Sequence, residues 1–230
     1  MYNEYPMQGS ASSFMHKIYA WMGFALMITA GMAYYVASQT MLHVALAKSP
    51  WISFGIFFAQ IGLVIAISSA TRSRMSYQLT AVLFILYALS VGLTTSIIFL
   101  VYTQASIYMT FLIAAGMFLG MSLYGYLTKA DLTAAGNIAL MLVWGLLLGL
   151  LINMFMQSEA FNYILSAIGV FVFTILTAYD TQKLKNLGQD LIADRETTGK
   201  IAIYGALVLY LDFINLFLFL LQFMGQRREN

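Results

Sequence analysis

Seven runs of about 20 apolar residues recur along this chain, at 18–38, 51–71, 77–101, 105–127, 134–156, 161–182 and 201–224. Each is long enough to cross roughly 30 Å of hydrocarbon. No water is available there to satisfy backbone N–H and C=O groups, so a spanning segment must be a helix or a strand of a closed barrel. The runs are continuously apolar rather than alternating, which argues against barrel strands. Charged residues make up 9% of the chain, whereas soluble domains carry roughly 25%. The expected fold is an all-α membrane protein, a single seven-helix transmembrane domain over 18–224 with short tails at 1–17 and 225–230.

The first thirteen residues are mostly polar or small, and the run from Ile18 is too long for a signal-peptide core, so it reads as the first span. Cysteine is absent, which excludes disulfides and thiolate metal sites. A net charge of +2 without a basic stripe gives no footing for nucleic acid. The longest polar break, Lys183 to Lys200, holds much of the charge. With seven spans, the N-terminal side carries Lys17, Arg72, Arg74, Lys129, Lys183, Lys185, Arg195 and Lys200, against Lys48, Arg227 and Arg228 opposite. Eight cations to three place the N-terminus in the cytoplasm. Six spans plus a re-entrant segment would put both ends inside; seven is the better count. Small residues four apart, Gly116 and Gly120, then Gly145 and Gly149, predict close helix packing. Asn153 extends the second row and is expected to add an interhelical hydrogen bond.

Chemistry concentrates on two acids. Asp212 interrupts an otherwise apolar run about eleven residues into the last span, or ~16 Å deep. A charge at that depth costs about 2.5–3.5 kcal/mol, which marks it as functional. Gly205, Val208, Asp212, Asn215, Phe219 and Gln222 share one helix face, so Asn215 and Gln222 form a supporting polar face turned toward protein or water. Asp180, in "TILTAYDTQKLKN", lies near the same end of the sixth span. Its simplest alternative role is a surface pair with Lys183. If the two acids meet, they resist double ionisation and titrate as a unit, and protons or cations are the natural ligands. Arg72 and Arg74 follow the second span; they either set topology or reach a carboxylate in bidentate fashion. His16 and His43 are interfacial, and Asp131 is expected to cap the fifth helix. No nucleotide loop, metal-ligand cluster or nucleophile–base pair is present in the sequence, and no cofactor is expected.

"AYDTQKLKN" and "LYLDFINLFLFLL", with "GMSLYGYLTKADL" between earlier spans, resemble the Bax inhibitor-1 family in its bacterial branch, over essentially the whole chain. The resemblance implies a bundle with the last helix central. It also implies a pH-sensitive calcium leak controlled by a di-aspartyl pair, here Asp180 and Asp212, and an arginine latch at Arg74 or Arg72. Calcium ions, protons and the lipid bilayer are then the partners. The rival reading is a non-conducting regulator that binds other membrane proteins, such as a protease or a cell-death factor. An intramembrane aspartyl protease is disfavoured, because Leu209-Tyr210-Leu211 precedes Asp212 where such enzymes carry Gly-x-Gly.

Overall fold

The computed structural model describes residues 10–39, 50–71, 73–190 and 194–228. Among them the chain forms α1 (Ser10–Ser38), α2 (Pro50–Ala70), α3 (Tyr77–Thr95), α4 (Ile98–Val101), α5 (Gln104–Leu127), α6 (Thr133–Met156), α7 (Glu159–Asp190) and α8 (Arg195–Met224). Six stretches are long and apolar enough to cross a membrane, with α3 and α4 counted together as Tyr77–Val101. Helix α2 adds a seventh, shorter apolar stretch. Among the described residues the one β contact is an isolated bridge between Tyr102 and Arg227.

The third run is broken where its hydroxyls cluster. Thr95 donates to the Val91 carbonyl at 2.8 Å and Ser96 to Leu93 at 2.7 Å, competing with the helical ladder. Polar caps begin the neighbouring helices. Ser76, Thr103 and Asp194 each accept from an amide three residues on, in the manner of N-caps.

Several helices outrun their apolar cores. Helix α1 starts at Ser10, so part of the expected 1–17 tail is helical. Phe14 explains this: it is 3% exposed and packs against Gly188 at the end of α7. Most of the Lys183–Lys200 break is helical too, because α7 runs to Asp190 and α8 starts at Arg195. Polar residues at the membrane boundary continue a helix without cost, since water and headgroups solvate their side chains.

Packing follows close backbone approach. Lipid is as apolar as a leucine, so burial alone drives little association. A Cβ on Gly125 of α5 would fall on the Ala178 backbone of α7, and one on Gly136 of α6 would strike the Tyr179 ring. The expected glycine pairs do otherwise. Gly116, Gly120 and Gly145 have nothing within 4 Å of a Cβ, and only Gly149 packs, against Leu165. Asn153 accepts from the Ser158 amide in its own turn at 3.1 Å instead of bridging helices, where Gln157 takes a left-handed φ of 50°.

Helix α8 touches α1, α2, α3, α5 and α7. In its most apolar stretch 56% of residues are buried, against 39% for the next helices. The first and last described residues lie at opposite ends of the bundle. Phe14 sits at the last turns of α7, whereas Arg227 pairs with Glu159 at its first turn, 3.2 Å away.

Candidate functional site

Helices α7 and α8 are antiparallel neighbours joined at one end. Leu184 of α7 packs over Gly205 of α8, 3.0 Å from where a Cβ would be. About one turn further in, the same seam brings the carboxyls of Asp180 and Asp212 within hydrogen-bonding reach of each other. Asp212 is 4% exposed and its Oδ2 meets no donor. Ionised carboxylates offer only acceptors, so two of them this close resist carrying charge together. Asp180 is half-buried.

No base neutralises the pair among the described residues, where Arg227–Glu159 is the sole ion pair. Lys183 makes no ion pair with Asp180 but lies close enough to act on it through space, its ammonium 5.6 Å from the Tyr179 ring centroid. Arg74 is exposed and makes no ion pair among the described residues; Arg72 lies outside them. The turn that carries Arg74 is nonetheless fastened to α8. Lys200 donates to the Ser73 carbonyl at 3.4 Å, and Glu196 accepts from the Tyr77 amide at 3.3 Å.

Two hydroxyl networks flank the pair. Tyr19 on α1 bonds Ser122 on α5, which bonds Thr181 on α7 at 2.9 Å. Deeper in, Tyr210 and Thr29 lie 2.7 Å apart, and Thr29 donates to the Ala88 carbonyl at 3.0 Å. Thr29 has one proton and spends it on Ala88, so Tyr210 is the donor between them. Beyond Asp212 the bundle is closed by aromatics: Phe213 meets Phe111 and Phe118 edge-on at 5.4 and 5.6 Å.

The supporting polar residues work locally. Asn215 donates to the Leu211 carbonyl at 2.8 Å. Gln222 accepts from Ser166 of α7 at 3.2 Å. His16 is exposed and His43 lies outside the described residues. Asp131 accepts from the Thr133 amide at 2.9 Å and its hydroxyl at 2.6 Å, one position ahead of the cap. Those bonds, the hydroxyl first, hold its carboxyl below the usual range.

Lys200 was missed in the sequence, although only 8% of it is exposed. Its signal was available, since Lys200, Ile203, Leu207 and Tyr210 recur at helical spacing on one buried stripe. The Tyr210–Thr29 bond spans 181 residues and leaves no local trace.

Residues 11–229 match the family model described as Inhibitor of apoptosis-promoting Bax1. The chain belongs to the Bax inhibitor-1 family. Inner membrane protein YbhL of Escherichia coli K12 is 46% identical over 217 residues, covering 94% of this chain and 92% of the relative. An uncharacterised protein of Borreliella burgdorferi is 42% identical over 219 residues, covering 95% and 94%. Uncharacterised protein YrjE of Lactococcus lactis is 33% identical over 214 residues, covering 93% and 91%. This Bax inhibitor-1 family member is therefore a multi-pass membrane protein with one buried and one half-buried acid at a helix seam.

Proposed function

We propose that the protein is a cation leak, passing calcium down its gradient, whose gate is the Asp180–Asp212 pair. One observation carries this reading: two carboxyls from consecutive helices meet inside the bundle with no ion pair to either among the described residues, Lys183 acting on Asp180 only through space. Desolvating two acids together is unfavourable unless a proton or a cation joins them. The bound proton and the passing cation therefore compete for one set of oxygens. Changing the proton count alters the relative energies of closed and open packings. The last helix serves as the central axis of this gate. The latch is Arg74, carried on a turn already tied to α8 through Lys200 and Glu196, or Arg72, which lies outside the described residues.

By analogy with YbhL, whose name places it in the inner membrane, this chain resides in a bacterial plasma membrane, N-terminus in the cytoplasm. The test is calcium flux into liposomes across a pH series, wild type against Asp212→Asn. A pH-dependent flux that flattens in the variant supports the gate; superimposable profiles refute it.

A second reading has its own support. Gly116, Gly120 and Gly145 lie on open helix faces, where another membrane helix could approach closely. It makes the protein a non-conducting regulator of membrane partners. It predicts no flux in pure liposomes and loss of function on Gly116→Leu, with Asp212→Asn silent.

A further inference from the structure

At the end of the bundle that holds the N-terminus, α1, α3 and α8 surround a cavity of about 550 Å³. Its polar rim carries Lys17 and Arg195, with Glu196 the one acid among the lining residues. Neither cation has an ion-pair partner among the described residues. Glu196 is engaged by the Tyr77 amide, and nearby Asp194 is turned to the Thr197 amide. The cavity therefore presents two cations, Lys17 of α1 and Arg195 of α8, against one carboxylate, and its rim is net positive.

Its lower wall is aromatic. Trp21 and Tyr77 line it and meet edge-on at 6.4 Å. Below them Trp21 contacts Phe24, a half-exposed ring on the outer surface of α1, at 6.1 Å. Charge above and aromatic surface below match a molecule with an anionic head and an apolar body. We infer that this cavity binds the phosphate headgroup of an anionic phospholipid, with Lys17 and Arg195 holding the phosphate and the Trp21–Phe24 face carrying an acyl chain. A soluble phosphate would use the cations and leave the aromatic face idle, so the lipid is the ligand that uses the whole surface. Basic pockets between membrane helices are suited to such heads.

Trp21 makes the test direct. With Trp51→Phe and Trp144→Phe, it is the remaining tryptophan. The protein is placed in phosphatidylcholine vesicles and titrated with brominated phosphatidylglycerol or, separately, brominated phosphatidylcholine. Each cation should contribute about fivefold, so the anionic lipid should quench Trp21 at about 30-fold lower mole fraction. Lys17→Gln with Arg195→Gln should abolish that preference. Lys17→Arg with Arg195→Lys should retain it, as should Lys129→Gln elsewhere. Equal quenching by both lipids, or a preference that survives the double glutamine variant, overturns the site. Reversal of quenching by soluble glycerol phosphate would assign the cations to a free anion and overturn the lipid.

Discussion

Tyr210 and Thr29 show how much one buried hydroxyl can be asked to do. Thr29 accepts from Tyr210 and donates to Ala88, linking α1, α3 and α8. Tyr210→Phe leaves only a spare lone pair on Thr29. Thr29→Val strands the tyrosine proton in a dry core, so it should cost more. Interhelical hydrogen bonds in membranes average about 0.6 kcal/mol, with a maximum near 1.7. A double-mutant cycle on unfolding in mixed micelles should return a coupling in that range. Asp194 makes the matching case at the surface. The Thr197 amide, then its hydroxyl, lowers the folded carboxyl below its unfolded value. Its contribution is therefore complete above the usual carboxylate range, near pH 4, and disappears as pH falls through the folded value. The Tm difference between wild type and Asp194→Asn should be largest at neutral pH and close in acid. A gap independent of pH would show that the charge is not what caps α8.

At the scale of elements, the glycines separate what spacing can say from what it cannot. Gly125→Ala drives a methyl into the Ala178 backbone and should destabilise by about 1–3 kcal/mol. Gly116→Ala enters open space and should stay within about 0.5 kcal/mol. Thermal unfolding in detergent distinguishes them. The four-residue spacing of Gly116 and Gly120 was legible, but which face looks at protein depends on partners far away in sequence. The same limit explains the helix ends. Apolar runs located the six stretches long enough to span and the shorter α2, because hydrocarbon imposes length and composition at once. They stopped short at Ile18, Gln182 and Ile201, because polar residues beyond the hydrocarbon keep helical geometry without an apolar signature. Asp180 and Asp212 stood out because acids in apolar runs are costly. Their meeting was inferable from antiparallel consecutive helices. The lack of an ion pair to either acid among the described residues was not, since it depends on where Lys183 and Arg74 point.

For the whole molecule, sidedness joins the bundle to the cell. Seven passes would put the termini on opposite faces, and local contacts fix which loops accompany each end of the described bundle. The C-terminal tail pairs with the α4–α5 junction, with Thr103 donating to Gln226 at 3.0 Å and Arg228 to Val101 at 2.9 Å. At the other end, Gln182 bonds both Ala130 and Leu132 in the α5–α6 turn. Eight of eleven cations lie in the segments expected to share the N-terminal face, so a cytoplasmic N-terminus is the expectation to test. The chain has no cysteine, so single cysteines report without background. In intact cells, a membrane-impermeant maleimide should label Gln226→Cys and spare Ser12→Cys and Lys129→Cys until the cells are broken. Labelling of Ser12→Cys and Lys129→Cys alone would reverse the orientation and move the aspartate seam to the outer half. Labelling of Ser12→Cys and Gln226→Cys together would mean an even number of passes, with one apolar stretch re-entrant. The gate proposal depends on this result, because only a seam in the cytoplasmic half exposes the pair to cytoplasmic protons.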